Sequence, residues 1–237
     1  MTFTDIENTF KSVGGEFISS PILISKKLKK IKALVFDWDG VWHSGRKSGN
    51  GQSSFSEVDS MGLNMLRFGY YLHSGQIPLT LIITGENNIT AFDFAEREHL
   101  DGVFYKAKNK AEALDFLLEK WQIKEEEVLF AYDDILDLGM ASRCGLGFFI
   151  NNTGNPLLQN YVVQKKLCDY KTAASGNKNA VRELSELSLG LLGEFESTLT
   201  KRMNFHADYV AYWEARNTLK TSFFTPKEDK IVKVNRP

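Results

Sequence analysis

Short apolar runs alternate with longer amphipathic segments over residues 33–150. Five of the runs are bounded by turn residues, which is typical of buried strands, and they lie at 33–37, 79–84, 102–105, 128–132 and 147–150. Between them, apolar residues recur with helical spacing at 61–72, 88–99, 108–121 and 137–144. Strands that alternate with helices form right-handed βαβ units. We therefore expect an α/β fold, a doubly wound, Rossmann-like parallel sheet with helices on both faces.

The flanks of this pattern are less regular. Residues 1–25 form an N-terminal segment without a clear assignment, 26–192 form the core, and 193–237 form a C-terminal helical extension and tail. Within the extension we expect one or two helices over 195–219 and a loosely held tail over 225–237. A glycine-rich loop at 44–54 indicates the tip of a β-hairpin, inserted after the first strand at about 41–58.

Composition excludes several classes of protein. With 29 basic and 30 acidic residues the formal net charge is −1, which gives no reason to expect binding to nucleic acid or to an anionic membrane. No apolar run approaches the roughly 20 residues of a membrane span. The two cysteines lack metal-ligand spacing and no secretion signal is recognisable, so a cytoplasmic location is expected.

Polar residues follow four of the predicted strands. Asp37 and Asp39 follow the first, Thr84 and Gly85 the second, lysines at 106–110 the third, and Asp133 with Asp134 the fourth. Each set alone has an ordinary structural explanation, such as a turn, a helix cap or a solvated helix face. Ligands of such sheets, however, bind at the carboxyl ends of the strands, where these residues should meet.

Together these residue types suit phosphoryl transfer. A hydroxyl and backbone N–H groups at a helix N-terminus hold a phosphate, and a lysine neutralises its charge. Carboxylates at one strand edge bind Mg²⁺, which prefers oxygen ligands. The ion also explains the aspartate pair at 37 and 39, because neighbouring carboxylates repel unless a cation lies between them.

Four motifs occur in a characteristic order: DWDG at 37–40, ITG at 83–85, a lysine at 110 and YDDILD at 132–137. In this order they resemble the haloacid dehalogenase superfamily of aspartate-nucleophile phosphatases. The stretches FSEVDSMGL (55–63), ITGENN (83–88) and GNKNAVREL (176–184) resemble its capless branch, which dephosphorylates eight- and nine-carbon 2-keto-3-deoxy sugar acids. The likeness covers residues 26–187.

The resemblance implies roles for the residues that carry out the reaction. Asp37 would be the nucleophile that forms an aspartyl-phosphate. Asp39 would protonate the leaving oxygen and then deprotonate water, which requires a raised pKa. Thr84 and the Gly85 amide would hold phosphoryl oxygens, together with Lys110.

The same resemblance implies a metal site. Asp133 would bind Mg²⁺ with Asp37 and the backbone carbonyl of Asp39. Asp134 and Asp137 would orient water, lysine or metal from outside the ligand shell.

Substrate contacts are implied at two further residues. Glu86 resembles family members that act on nine-carbon acids of the sialic type, although it also suits a first-turn acid that complements the helix dipole. Arg182 matches a stretch that reaches a neighbouring active site in the family. A capless enzyme would therefore be a homo-oligomer, by resemblance a tetramer that packs through the hairpin and encloses a phosphorylated sugar acid.

The chain departs from the family pattern at three places. Tyr132 replaces a glycine, HSG at 43–45 replaces TDG, and GNKN at 176–179 lacks most of the usual glycines. An eight-carbon (Kdo) phosphate or another small phosphate therefore stays open as substrate. So does a catalytically degenerate protein that binds a sugar phosphate or acts as a scaffold.

Overall fold

In the computed structural model, which describes residues 1–48, 52–228 and 230–237, strands from both ends of the chain join one sheet. The strands are β1 (Glu16–Phe17), β2 (Ala33–Asp37), β3 (Leu79–Ile83), β4 (Gly102–Phe104), β5 (Val128–Tyr132), β6 (Leu146–Phe149), β7 (Tyr170–Lys171), β8 (Ser222–Lys227) and β9 (Lys230–Val234). The helices are α1 (Phe3–Ser12), α2 (Pro21–Leu28), α3 (Glu57–Ser74), α4 (Ile89–Arg97), α5 (Lys110–Trp121), α6 (Leu138–Ala141), α7 (Pro156–Gln164), α8 (Ala180–Leu192), α9 (Phe195–Met203) and α10 (Ala207–Asn217). Within the described ranges, no helix combines the length and apolar character needed to cross a membrane.

The sheet places β2 at its centre. Across the described residues the strand order is β1-β7-β6-β5-β2-β3-β4-β8-β9, and only the outermost pairs, β1 with β7 and β8 with β9, are antiparallel. β2 pairs in parallel with β3 and β5, with Asp37 opposite Ile83 and Phe36 opposite Ala131. The carboxyl ends of these three strands therefore finish side by side. The predicted α/β sheet is confirmed.

Apolar side chains form a layer on each face of the sheet. Alternation along β2 sends Leu34 and Phe36 into one layer and Ala33 and Val35 into the other. The first layer contains residues of α1 to α4, α8 and α10, and the second contains residues of α5 to α7. The sheet is thus covered on both faces, as a parallel sheet requires.

The C-terminal tail is ordered and belongs to the sheet, so the expectation of a loose tail is wrong. β8 pairs in parallel with β4, where Phe104 lies opposite Phe224, and β9 folds back on β8. Phe223 packs into the first apolar layer and Phe224 into the second. Burial of both rings and pairing of the open edge of β4 favour the strand over a solvated tail.

The N-terminal segment also has defined structure. α1 begins at a capping box between Thr2 and Asp5, and α2 has its N-cap at Ser20. Elements from the segments 1–25, 26–192 and 193–237 all contribute to the sheet. The three-part division of the chain stays a prediction.

The segment after β2 differs from the predicted hairpin. Its described residues contain an isolated bridge between Asp39 and His43 and no paired strands, and α3 already begins at Glu57. The predicted tip at 49–51 lies outside the described residues. The ring of Trp42 stacks on Trp38 and packs against Phe94 inside the core. These contacts hold the proposed first arm of the hairpin against the sheet.

One buried acid joins two helices of the first layer. Asp59 in α3 is inaccessible to solvent, and its Oδ1 accepts the Arg182 N–H at the start of α8 at 2.8 Å. Burial raises the pKa of Asp59 to about 6, although N–H groups of Arg182 and Val181 oppose the shift. Ionisation of the buried Asp59 carboxyl therefore lowers the stability of the folded chain.

We expect this cost to appear as a pH dependence. Between about pH 4 and pH 6 the folded chain holds a proton that the unfolded chain has released, so stability falls as pH rises. Asp59→Asn cannot take up or release this proton, so its free energy of unfolding lacks this pH dependence. Between pH 4 and pH 6 the stability of the variant relative to the unsubstituted chain should therefore increase by roughly 2–3 kcal/mol. Urea unfolding of both proteins at a series of pH values measures this difference. Glu214→Gln is the matched exposed control, and a pH-independent difference for Asp59→Asn would contradict the assignment.

Candidate active site

A cavity of about 430 Å³ opens where β2, β3 and β5 end. Asp37 is the last residue of β2, Asp133 directly follows β5, and Lys110 is the first residue of α5, whose N-cap is Asn109. Asp137 closes a turn of 3₁₀ helix that begins at Ile135. Four predicted site residues from three parts of the chain thus share one cavity wall.

Lys110 forms the central ion pairs of this cavity. Its Nζ lies 2.5 Å from Oδ1 of Asp37 and also contacts the carboxylate of Asp137. Burial alone would lower the pKa of Lys110, but the two carboxylates raise it above its usual range, so the ammonium stays charged. The expectation of a solvated surface lysine does not hold, because Lys110 is only 3% exposed.

Three buried carboxylates form the candidate metal site. Asp37, Asp133 and Asp137 each offer an oxygen, and these oxygens lie within 4.8 Å of one another. Burial raises the pKa of Asp37 and of Asp133, the carboxylate of Asp137 raises both further, and Lys110 opposes the rise in each case. Oδ1 of Asp133 is buried and finds no hydrogen-bond partner among the described residues. Lys110 supplies too little positive charge for this cluster, whereas a divalent cation with oxygen ligands fits it.

Glycine is required at position 40 so that the turn after β2 can approach Asp133. Gly40 has φ +89°, and a Cβ there would lie 2.0 Å from Oδ2 of Asp133. On the other side of this contact, the Asn155 side chain donates to the Asp133 carbonyl at 3.2 Å and so fixes the backbone after β5. The glycine of the DWDG motif is therefore required both by its backbone conformation and by its close packing against the carboxylate cluster.

Asp39 points to a different set of partners. Asn88 donates to its Oδ2 at 2.8 Å, Lys47 Nζ lies 3.3 Å from the same oxygen, and His43 Nε2 lies 3.2 Å from Oδ1. Burial alone would raise the pKa of Asp39, but the His43 and Asn88 contacts hold it below its usual range. The predicted raised pKa is thus wrong for Asp39 with these partners. The Asp39 side chain also lies outside the carboxylate cluster, and its predicted metal contact through the backbone carbonyl stays a prediction.

Thr84 and Gly85 occupy the predicted place at the end of β3. Thr84 is fully buried, and its Oγ1 accepts a hydrogen bond from Asn88 at 2.7 Å. Gly85 and the exposed Glu86 line the cavity beside Asp37. Gly85 thus lies at the cavity, whereas Thr84 is absent from the cavity lining, and the phosphate-binding roles of both stay predictions.

Tyr132 does not crowd the carboxylates. Its ring is stacked on Phe130 in the second apolar layer, and its hydroxyl donates to the Leu167 carbonyl at 2.9 Å. Tyr132 is also absent from the residues that line the cavity. One of the reasons to suspect a degenerate site is thereby removed, while the altered GNKN stretch remains.

Two predicted site residues, Asp134 and Arg182, do not belong to the buried group of carboxylates and lysine. Asp134 lies at the cavity, but it is exposed and caps the 3₁₀ turn by accepting the Ile135 N–H at 2.7 Å. Arg182 is absent from the cavity lining, and its side chain pairs with Glu186 at 2.6 Å. A role for Arg182 in a neighbouring subunit's site stays a prediction.

Sequence reasoning missed the residues that orient Asp39. Asn88 bridges Thr84 and Asp39 from the N-cap of α4, and the only signal for it was the Asn pair that follows TGE. In the sequence, His43 is only part of the HSG stretch that replaces TDG, and no role is expected for it. In fact its Nδ1 accepts the Gly45 N–H, which leaves the proton of the neutral ring on Nε2, facing Asp39.

Comparisons with known proteins agree with this arrangement. A family model described as sucrose-6F-phosphate phosphohydrolase matches residues 72–181. The 3-deoxy-D-manno-octulosonate 8-phosphate phosphatase of Escherichia coli (strain K12) is 27% identical over 174 residues, which cover 72% of this chain and 85% of that protein.

Solved structures are similar over the same region. A hydrolase of Legionella pneumophila, described as haloacid dehalogenase superfamily, subfamily III A, superposes with a TM-score of 0.64 at 26% identity and covers 77% of this chain and 94% of its own. A second similar structure is the 3-deoxy-D-manno-octulosonate 8-phosphate phosphatase of Moraxella catarrhalis, solved with magnesium, phosphate and KDO. It has a TM-score of 0.63 at 26% identity, and the match covers 75% of this chain and 97% of that one.

Removal of one cluster carboxylate should abolish stabilisation by the metal. We expect the melting temperature of the unsubstituted chain to rise in millimolar Mg²⁺, because an ion that binds only the folded state stabilises it. In Asp133→Asn this rise should be lost, while stability in a chelator should be equal or higher, because one buried like charge is gone. Differential scanning calorimetry with Mg²⁺ and with EDTA measures both effects.

Asp134→Asn is the matched control, since this neighbouring acid lies outside the cluster. It should keep the Mg²⁺-dependent rise. A full rise in Asp133→Asn would show that Asp133 is not a ligand.

Proposed function

We propose that this chain, which belongs to the capless phosphatase branch of the haloacid dehalogenase superfamily, hydrolyses the phosphomonoester of a small 2-keto-3-deoxy sugar acid. The observation that carries the proposal is the buried group formed by Lys110 with Asp37, Asp133 and Asp137 at one sheet edge. A buried ammonium and an unpartnered buried carboxylate oxygen are expensive to keep unless a ligand completes them.

Asp37 would act as the nucleophile. One of its carboxylate oxygens attacks phosphorus, the bond between phosphorus and the ester oxygen breaks, and the phosphoryl group passes to Asp37 as an aspartyl-phosphate. Lys110 orients that carboxylate and neutralises charge on the phosphoryl oxygens. Thr84 and the Gly85 N–H would hold those oxygens.

Asp39 would move the proton in both steps. It gives a proton to the departing sugar oxygen and then takes one from the water that attacks the aspartyl-phosphate, which releases phosphate and restores Asp37. The contacts with His43 and Asn88 favour the ionised form of Asp39, so it must gain its proton as substrate binds. A phosphate dianion beside Asp39 shifts its pKa in that direction, because a like charge disfavours the carboxylate.

A divalent cation, for which we propose Mg²⁺, would be held by Asp37 and Asp133 with the carbonyl of Asp39. When bound it neutralises charge on the phosphoryl oxygens. Asp137 also offers an oxygen to this group, while its other oxygen accepts the Asp134 N–H at 3.1 Å. Its contact with Lys110 makes it the residue that holds the lysine beside the nucleophile.

The size of the sugar acid separates two candidates. Glu86 extends into the cavity without a side-chain partner among the described residues, and a carboxylate there would accept hydrogen bonds from sugar hydroxyls. We therefore prefer a nine-carbon substrate. The eight-carbon octulosonate 8-phosphate is the second candidate, because the similar proteins from E. coli and M. catarrhalis are named for it.

Assembly and location are inferred from the same resemblance. Without a cap domain, a second copy of the chain would supply the cover that keeps water from the reaction, so a homo-oligomer, by resemblance a tetramer, is proposed. Both cysteines are free, which agrees with a reducing cytoplasm.

The nucleophile gives the sharpest test of this function. Asp37→Asn should fold with the same circular dichroism spectrum and lose phosphate release by at least roughly a thousandfold, because amide nitrogen and oxygen cannot replace the attacking carboxylate. Release is measured from eight- and nine-carbon sugar-acid phosphates with and without Mg²⁺. The larger kcat/KM identifies the substrate size.

Asp93→Asn, which changes an exposed aspartate of α4, serves as the control and should keep full turnover. Retained hydrolysis in Asp37→Asn would end the proposed mechanism. Tight substrate binding with no release from the unsubstituted chain would favour the degenerate, ligand-binding alternative.

A further inference from the structure

A second cavity adjoins the catalytic one. It measures about 410 Å³ and shares Gly40, Ser44 and Asn152 with the catalytic cavity. The other residues along its wall are mostly polar and come from two loops, 151–153 and 173–178, together with Arg46. A ligand whose phosphate lies among the catalytic carboxylates therefore has one continuous polar surface on which to extend.

This second cavity carries unpaired positive charge. Arg46 and Lys178 both line it, and neither side chain forms a hydrogen bond or an ion pair with any described residue. In the catalytic cavity Lys110 pairs with Asp37 and Asp137, whereas the exposed Lys108 has no side-chain partner among the described residues. Two unpaired cations thus line the adjoining cavity, compared with one in the catalytic cavity.

The loop that carries Lys178 is held in place by partly buried hydrogen bonds. The carboxylate of Glu183 accepts the N–H groups of Ala173 and Ala174 at 2.8 and 2.7 Å, and the Tyr170 hydroxyl donates to it at 2.6 Å. Three donors on one carboxylate fix the backbone over 173–174. The cavity wall is therefore preorganised before any ligand arrives.

The same loop is fitted against the catalytic turn. A Cβ on Gly176 would lie 2.2 Å from the Gly40 carbonyl oxygen, so only glycine permits this approach. Gly176 is the glycine that remains in the altered GNKN stretch. Its packing joins the second cavity directly to the turn that carries Asp37 and Asp39.

We propose that this second cavity is the subsite for the carboxylate end of the substrate, with Arg46 and Lys178 pairing with the carboxylate and Asn152 and Ser44 contacting hydroxyls between the two cavities. The inference rests on the proposed function and adds the residues that select an acid over a neutral sugar. Arg suits this task because its planar fork meets a carboxylate through two hydrogen bonds. Two cations in one cavity favour an anionic group over a hydroxyl.

The test compares an acidic with a neutral sugar phosphate. In Arg46→Gln/Lys178→Gln, the ratio of kcat/KM for 3-deoxy-octulosonate 8-phosphate to that for glucose 6-phosphate should fall roughly ten- to hundredfold, through KM of the acid. The charge-matched control Lys26→Gln/Lys220→Gln changes two exposed lysines outside both cavities and should keep the ratio of the unsubstituted chain. An unchanged ratio in Arg46→Gln/Lys178→Gln would overturn the subsite.

A binding measurement separates this inference from the proposed function. Unphosphorylated 3-deoxy-octulosonate is titrated into each protein by calorimetry, which requires no turnover. Binding to the unsubstituted chain that weakens at least tenfold in Arg46→Gln/Lys178→Gln supports the subsite even if no phosphate is released. Absent binding, or equal binding by both proteins, overturns it even if phosphate release is rapid.

Discussion

Three carboxylates and one ammonium are buried together where β2, β5 and α5 meet, and the rest of the structure depends on this group. Asp37, Asp133 and Asp137 are buried close together and repel one another, and Lys110 offsets only part of that repulsion. Such an arrangement persists when the surrounding fold fixes it and a cation completes it. The parallel pairing of β2 with β5 supplies the fixed frame.

Much of this frame follows from local sequence. Apolar runs that end in aspartate predicted β2 and β5, and the rule that parallel strands finish together predicted that Asp37 and Asp133 would meet. Lys110 was harder, because alone it has the sequence context of a solvated helix start. Only its place in the order of four motifs pointed to the site, and the 3% exposure of its side chain shows how completely the fold removes it from water.

The features that sequence did not predict depend on long-range contacts. The second strand of the tail, β9, is short and carries two lysines, and its neighbour β8 contains Pro226, yet the open edge of β4 and the burial of Phe224 hold the pair in the sheet. Tertiary contacts also set the pKa of Asp39, since His43 and Asn88 reach it from a turn and from a helix cap. The second cavity arises where the loop around Gly176 packs on Gly40, two segments more than a hundred residues apart.

Metal binding by the buried carboxylates is the central claim, and anomalous diffraction from crystals soaked in Mn²⁺ tests it most directly. Mn²⁺ takes the oxygen ligands and octahedral geometry that suit Mg²⁺ sites. The account predicts one strong anomalous peak within about 2.2 Å of carboxylate oxygens of both Asp37 and Asp133. Well-ordered crystals with no peak there, or with Mn²⁺ bound only at surface acids, would contradict it.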